Sequence, residues 1–155
     1  MKLAPLKQFI CDTCGEVINA PEEGLVEMIY NEELHYTRFT VVHHRVWSPR
    51  RPYDNCEQGL ACDHLDNFLG PKGLSAFLAM LDPGPHIKKQ CESPHRVVNI
   101  REWVDVVRRL HLPYYEEARQ FFAEAMEEGY FVGENELSMF VPTNLRELIM
   151  EYSPE

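Results

Sequence analysis

Two cysteines in the first part of the chain have the spacing of metal ligands. Cys11 and Cys14 enclose two residues, and Gly15 follows directly. A turn of this length brings both sulfurs to one point, and thiolates are ligands that Zn²⁺ favours in tetrahedral sites. Glycine after the second ligand permits a left-handed backbone conformation there. The pattern therefore predicts one structural zinc ion anchored by Cys11 and Cys14.

A structural zinc site needs two further ligands. A strand predicted over 37–47 would place His43 and His44 on opposite faces, so that one of them reaches the metal. We expect His43, which shares a face with Val41, and Cys56, which follows a proline-rich loop, to complete a Cys3His site. The alternative ligands that the sequence leaves open are His44, Cys62 and His64.

The segment Cys11-Asp12-Thr13-Cys14-Gly15, called the knuckle below, resembles the first half of zinc-ribbon and rubredoxin-type sites. A redox pair of the thioredoxin kind would instead require a helix that opens from the motif. Pro21 and Gly24 interrupt the chain before such a helix could form. The resemblance therefore implies a metal ion with a structural role.

A knuckle followed by a strand that ends in Val42-His43-His44 also resembles the opening of HNH (ββα-metal) nucleases. That resemblance implies His43 or His44 as the residue that activates water, with a divalent ion at the phosphate. The second Cys-x-x-Cys of zinc-stabilised members is missing here, and Cys62-Asp63-His64 stands in its place. A metal-dependent nuclease is kept as an alternative, but the sequence favours a non-enzyme, and we assign no catalytic residue.

The composition of the chain is that of a folded, acidic protein. It has 155 residues, of which 45% are hydrophobic, and its formal net charge is −10. No run approaches the roughly 20 apolar residues of a membrane span, and Pro5 and Lys7 interrupt the first residues where a secretory signal needs an apolar core. Free cysteines at a metal-like spacing are typical of a reducing compartment. We expect a cytoplasmic protein.

The charge is unevenly distributed along the chain. Residues 1–98 hold 10 basic and 13 acidic groups, whereas 99–155 hold 5 and 12. A net negative charge opposes contact with nucleic acid, because phosphate neutralisation supplies most of that affinity. A local basic segment over 38–51 is the place where a polyanion could bind, through Arg38, Arg45, Arg50 and Arg51. A nucleic-acid-binding regulator is a second alternative, and a protein is the expected partner.

The surrounding elements predict an α+β fold. The sequence predicts a β-hairpin from Leu25–Tyr30 and 37–47, and two short helices are expected between 62 and 82. Asn99 and Glu102 form a capping-box-like start to a helix. We therefore expect three parts: a zinc-knuckle β lobe over 1–60, a helical pair with a connector over 61–94, and a helical lobe over 95–155.

The last part of the chain resembles a winged helix-turn-helix. The resemblance is carried by a helix from about Tyr114 to Glu128, a small β-hairpin built from 130–132 and 137–141, and a last helix over 144–152 that Thr143 would cap. It implies a recognition helix followed by a wing. That helix carries five glutamates and a single arginine, so a regulatory or interaction module that contacts protein is the better expectation.

Overall fold

The computed structural model describes residues 2–50, 61–84 and 96–153. Its strands are β1 (Phe9–Ile10), β2 (Val17–Ile18), β3 (Gly24–Tyr30), β4 (Tyr36–His43) and β5 (Ala61–His64). Its α-helices are α1 (Gly70–Leu81), α2 (Ile100–His111), α3 (Tyr115–Ala118), α4 (Phe122–Glu127) and α5 (Pro142–Tyr152). Short 3₁₀ turns lie at Pro21–Glu23, Arg45–Trp47, Leu65–Phe68 and Arg119–Phe121. The predicted α+β class is confirmed.

The hairpin predicted from the sequence is confirmed as β3 and β4, and β5 pairs with the other edge of β3. Asn31 closes the hairpin turn, because its side-chain oxygen accepts hydrogen bonds from two backbone N–H groups of the turn. Asparagine favours turns for this reason. β4 ends at His43, so the strand is shorter than the predicted 37–47.

One face of the three-stranded sheet packs against α1 and α2. The ring of Phe77 in α1 lies 6.4 Å from that of Phe39 in β4 and 6.3 Å from that of Trp103 in α2, edge-on in both cases. Such pairs contribute about 0.5–1.5 kcal/mol beyond their area burial. The indole N–H of Trp103 donates to the carbonyl of Phe77 at 3.2 Å. The buried polar group is therefore satisfied within the apolar core.

The first of the two helices predicted between 62 and 82 is wrong. Residues 61–64 form β5, which pairs with β3 from Leu25 to Met28, and a 3₁₀ turn follows. A short isolated helix is only marginally stable, whereas the edge of β3 offers these residues backbone hydrogen-bond partners. The second helix is α1, with a proline in its first turn as expected. A Cβ at Gly73 would lie 1.9 Å from the carbonyl carbon of Phe68, so only glycine fits where α1 meets the turn.

A second, aromatic core cluster lies among α3, α4 and α5. Leu145 and Leu148 of α5 are buried there beside Ala118 and Ala125. The ring of Tyr115 contacts those of Phe122 and Phe140 at 5.4 and 5.6 Å. The aromatic residues of this part of the chain thus form core, as their spacing indicates.

The C-terminal lobe departs from the winged-helix expectation. The predicted helix from Tyr114 to Glu128 is divided into α3, a 3₁₀ turn and α4. The predicted small β-hairpin is absent from the described residues 130–141, which form turns. Asn135 accepts a hydrogen bond from the N–H of Leu137, and its carbonyl accepts one from the hydroxyl of Ser138. Local bonds of this kind compete with strand pairing.

The two helix caps predicted from the sequence have different outcomes. The side chain of Asn99 accepts a hydrogen bond from the N–H of Glu102 at the start of α2, which confirms that cap. Thr143 is not a cap, because α5 begins at Pro142 and Val141 occupies the capping position. None of the helices in the described ranges combines the length and apolar composition that a membrane crossing requires.

Candidate metal centre

The knuckle is a tight turn that joins β1 to β2. The two strands pair in the register Phe9 with Ile18 and Ile10 with Val17. The N–H of Cys11 donates to the carbonyl of Glu16 at 3.0 Å, and that of Gly15 donates to the carbonyl of Cys11 at 2.9 Å. Gly15 has a φ of 77°, the left-handed conformation that glycine adopts without strain. The turn therefore folds both cysteines to the same side.

β4 brings a histidine to this turn. His43 is the last residue of β4 and lies opposite Gly24 of β3. Its Nδ1 atom lies 3.4 Å from the Sγ atom of Cys14. One ligand atom from each of Cys11, Cys14 and His43 lies within 4.8 Å of the others. Cys11 is 1% exposed and His43 is 3% exposed, whereas Cys14 is half-buried. The three form a group that could hold a metal ion.

The orientation of the imidazole is set by its other nitrogen. Nε2 of His43 lies 3.3 Å from the carbonyl oxygen of Val17. A carbonyl can only accept, so Nε2 carries the proton, and in the neutral ring Nδ1 then presents its lone pair towards Cys14. Metal-bound histidines are commonly held by such a bond to a backbone carbonyl. The geometry thus prepares Nδ1 for coordination.

The thiol of Cys11 is set up to ionise. Burial alone would raise its pKa, but hydrogen bonds from the backbone of Cys14, His43 and Thr13 and from the Cys14 side chain outweigh it and lower the pKa. The thiolate is the form that binds metal. The backbone of the knuckle and the end of β4 therefore stabilise the ligand form of Cys11.

Asp12, between the two cysteines, ties the knuckle to β4. Its N–H donates to the carbonyl of Val41 at 2.8 Å, and its Oδ2 accepts from the N–H of Val41 at 2.7 Å. The knuckle thereby extends the edge of the sheet at β4. These two bonds fix the distance between the cysteines and His43, two residues farther along the strand.

A buried arginine from α2 completes the surroundings of Asp12. Nη1 of Arg109 donates to Oδ2 of Asp12 at 2.6 Å, and its Nε and Nη2 donate to the two carboxylate oxygens of Glu116 in α3 at 2.7 and 2.9 Å. Nη2 also donates to the carbonyl of Ile10 at 3.0 Å, and the N–H of Ile10 donates to Glu116 at 2.9 Å. Bidentate pairs of this kind are strong and directional.

Charge compensation makes this burial tolerable. Arg109 is 3% exposed; desolvation would lower its pKa, but Glu116 and Asp12 together raise it above the ordinary value. Arg119 approaches the same carboxylates, with Nη1 3.6 Å from Asp12 and 3.5 Å from Glu116. We call Asp12, Arg109, Glu116 and Arg119 the buried ion network, after the buried Arg109 and Glu116 at its centre; the side chains of Asp12 and Arg119 are partly exposed.

Of the other predicted ligands, the structure describes His44, Cys62 and His64. Cys56 lies outside the described residues, and so does Arg51 of the basic segment. Cys62 is exposed on β5 opposite Glu27. His64 is exposed and stacks on the ring of His44 with centroids 5.6 Å apart. Neither these two histidines nor Cys62 belongs to the described group of close ligand atoms.

Three arginines of the basic segment, Arg38, Arg45 and Arg50, lie among the described residues. His43 is buried in the candidate metal centre, Arg45 lies in the exposed 3₁₀ turn after β4, and Arg38 and Arg50 line one cavity beside the knuckle. Nη2 of Arg50 donates to the carbonyl of Thr13 at 2.7 Å. Two of the arginines thus lie beside the candidate metal centre.

Sequence reasoning did not identify Asp12, Arg109 and Glu116 as residues of the site. The available signal was the position of Arg109, three residues after Val106 and directly before Leu110 on the apolar side of α2. A charged residue at such a position needs a buried partner. Protein-family models, curated proteins and solved structures show no match to this chain, and its function is inferred from the residues and geometry of the site.

Proposed function

We propose that this chain is a non-enzymatic interaction or regulatory protein whose β lobe is built around one structural Zn²⁺ ion. Cys11, Cys14 and His43 are three of its ligands. The observation that carries the proposal is the close approach of their ligand atoms, all within 4.8 Å, with two of the three residues buried and Cys14 half-buried. Zinc is the preferred ion because thiolates and imidazole in tetrahedral array suit it.

The spacing of the donor atoms fits a tetrahedral ion. With typical zinc–sulfur and zinc–nitrogen bonds, a sulfur and a nitrogen on one ion lie about 3.5 Å apart. The Sγ atom of Cys14 and Nδ1 of His43 are 3.4 Å apart. Cys56 is our proposed fourth ligand, because a third thiolate would complete a Cys3His set. The residue lies outside the described ranges, so this part of the proposal rests on the sequence.

Burial supports a structural role for the ion. Structural zinc sites are closed, whereas catalytic ones keep a position open to water and substrate. Cys11 and His43 are almost fully buried, which suits the closed kind. His44 has a role in the fold, since its Nδ1 accepts from the N–H of Val46 and its ring stacks on His64. We therefore assign neither His43 nor His44 the water-activating role of a nuclease.

From the net charge of the chain, we also propose that its partner is a protein. The formal net charge is −10, which disfavours a polyanion as the main partner. The buried ion network joins the knuckle to α2 and α3. A zinc ion that holds the knuckle in place would therefore also hold these helices against the β lobe. The exposed surfaces of the two lobes would then be presented to a partner in one arrangement.

Elemental analysis of the purified chain tests the metal. We expect about one zinc ion per chain. Cys11→Ser should lower the zinc content far below that and cost about 4 kcal/mol or more of unfolding free energy, because metal binding is coupled to folding. Cys62→Ser, at an exposed cysteine on β5, is the matched control and should keep zinc and stability.

Two results would overturn the proposal. One is a metal-free preparation with the same melting temperature as a zinc-loaded one. The other is an equal loss of zinc from Cys11→Ser and Cys62→Ser, which would show that the described group is not the binding site. Cys56→Ser, compared in the same assay, examines the fourth ligand separately.

A further inference from the structure

A small cavity lies at the edge of the aromatic core cluster formed by α3, α4 and α5. Its volume is about 130 Å³, and we call it the aromatic–acidic pocket after the residues that line it: Tyr130, Phe131, Glu134, Met139, Asn144 and Glu147. None of these six belongs to the candidate metal centre or to the buried ion network. Small-molecule sites begin at roughly 300 Å³, so this cavity can take one side chain but not a whole metabolite.

Two aromatic rings form a corner of the pocket. The rings of Tyr130 and Phe131 have centroids 5.2 Å apart and stand nearly perpendicular, at 84°. The ring of Tyr152 packs against that of Tyr130 with centroids 5.8 Å apart. The ring of Phe122 packs against that of Phe131 at 6.1 Å. Because this packing holds both rings, the corner is formed before any ligand binds.

Two carboxylates from different elements converge on this corner. Glu134 lies in the turns that follow α4, and Glu147 lies on α5. Both are exposed residues that line the pocket. Burial raises the pKa of Tyr130, and the charges of Glu151, Glu147 and Glu134 raise it further. The phenol at the corner therefore lies in a field of negative charge.

The lining of the pocket contains no cation of its own. Within the described ranges, no ion pair includes Glu134 or Glu147. Glu147 and Glu151 are four positions apart on α5, a spacing at which like charges repel each other and destabilise a helix. A cation bound beside Glu147 would relieve this repulsion. Residues 99–155 hold 5 basic and 12 acidic groups, so this part of the chain is complementary in charge to a basic partner.

Aromatic rings and carboxylates attract the same kind of ligand. A cation within about 6 Å of a ring centroid is attracted by the π system, and carboxylates accept charge-assisted hydrogen bonds from it. Lysine supplies a compact charge with three rotatable donors, whereas the guanidinium of arginine is a rigid planar fork that matches a single carboxylate. Acceptors that reach one corner from two separate elements therefore favour an ammonium group.

We propose that the aromatic–acidic pocket binds a lysine side chain of a protein partner. The ammonium group donates to Glu134 and Glu147. The alkyl stem lies against the rings of Tyr130 and Phe131 and against the thioether of Met139, a side chain that adapts readily to an apolar neighbour. This inference names the chemistry of the protein partner proposed above and rests on that part of the proposed function.

Two exposed apolar residues beside the pocket favour a protein, rather than a free amine, as the source of the ammonium group. Val132 is 85% exposed, and Leu137 is 87% exposed. Both lie within residues 130–141, the segment that also supplies four of the six lining residues. A partner chain that inserts a lysine would cover this apolar surface as well, which is favourable. A small amine would leave it in water.

Nuclear magnetic resonance with the full, zinc-loaded, isotope-labelled chain is the test. The probe is a short peptide with one lysine between apolar residues. The references are the same peptide with acetyl-lysine, which keeps the stem and loses the charge, the same peptide with arginine, and n-butylammonium. We expect the lysine peptide to shift the amide resonances of Tyr130, Phe131 and Glu147 saturably, with a dissociation constant of about 1 mM or tighter. Each reference should bind about tenfold more weakly.

Variants locate the binding. Glu134→Gln and Glu147→Gln alter exposed side chains and keep their shape, so both should fold. Each should weaken binding of the lysine peptide by about fivefold or more, because a charge-assisted hydrogen bond is lost. Glu136→Gln is the matched control. It removes the same charge from an exposed position in the same turns but outside the lining, and it should bind as the unaltered chain does.

Four outcomes would overturn the proposal: no saturable shift with the lysine peptide at millimolar concentration, equal binding of the acetyl-lysine or arginine peptide, equal binding of n-butylammonium, or an equal loss in Glu136→Gln and the two pocket variants. The last would indicate attraction by net charge alone. Zinc content is measured on the same samples. A zinc-loaded chain that binds no lysine peptide would refute this pocket and leave the metal centre in place, whereas a folded, metal-free chain that binds it would refute only the zinc proposal.

Discussion

At the scale of single residues, the buried imidazole of His43 and the half-buried one of His111 illustrate how surroundings decide what a histidine does. His43 has a neighbour at each ring nitrogen, a carbonyl at Nε2 and a thiol at Nδ1. In the described part of the chain, Nε2 of His111 is a buried nitrogen with no hydrogen-bond partner. Its ring meets that of Phe77 edge-on at 5.9 Å. The first environment suits a metal ligand, and the second suits a neutral ring in an apolar core.

The pH dependence of stability should report on His111. Burial lowers its pKa below the ordinary 6.5, although a hydrogen bond to the backbone of Phe68 opposes this. The unfolded chain therefore binds the proton more readily, so stability is present above about pH 6.5 and is lost as the pH falls towards the folded-state pKa. His111→Gln should reduce the drop in melting temperature between about pH 8 and about pH 5. An identical drop in both proteins would contradict this assignment.

At the scale of elements, Arg109 joins three of them. Its guanidinium contacts the carbonyl of Ile10 in β1, Asp12 in the knuckle and Glu116 in α3. Tyr114, with a φ of 72°, forms the turn between α2 and α3, and the phenol of Tyr115 donates to Asp105 at 2.9 Å. Burial, and then the charge of Asp105, raise the pKa of Tyr115 to about 12. These contacts turn Glu116 back towards Arg109.

Arg109→Met should be strongly destabilising. Loss of the guanidinium leaves the buried carboxylate of Glu116 and the partly exposed carboxylate of Asp12 without their main partner, which costs about 3–5 kcal/mol. Denaturant unfolding monitored by circular dichroism measures the change. Arg101→Met, an exposed change on the same helix, should alter stability by less than about 0.5 kcal/mol. Equal effects of the two changes would show that the network contributes little.

Part of this arrangement could be predicted from the sequence because local signals determine it. Neighbouring residues determine three of its features: the β-rich composition of β3 and β4, the Asn99 cap and the spacing of Cys11 and Cys14. The choice of His43 over His44 followed from alternation along one strand. The break after Ala118 and the absence of strands in the described residues 130–141 depend on tertiary contacts and competing turns. The partners of Arg109 lie too far away in sequence for any local pattern to show them.

At the scale of the whole molecule, metal removal should loosen α3 as well as the knuckle. If the ion leaves, the knuckle is no longer held at His43, and Asp12 can move from Arg109. Hydrogen exchange should then accelerate at the N–H of Ile10, which donates to Glu116, and along α3 as well as in the knuckle. Mass spectrometry with and without chelator measures this change. Added Zn²⁺ should restore protection and Mg²⁺ should not, because Mg²⁺ prefers oxygen ligands.

An acceleration confined to residues 9–18 would refute this coupling while leaving the metal site itself in place. The distinction bears on the proposed regulatory role, because a regulatory module must transmit the state of one part to another. The buried ion network is the described route by which the knuckle and the helical lobe could affect each other.

The bond between Arg109 and Asp12 also has a consequence for folding kinetics. Its two residues are 97 positions apart, and Ile10 and Glu116 are 106 apart. Contacts between such distant segments require the closure of a long loop before they contribute stability, and they slow folding. During synthesis the knuckle is made long before α2, so Asp12 cannot form this bond until Arg109 has been added to the chain. Early metal capture by the knuckle would keep this segment compact until the helices arrive.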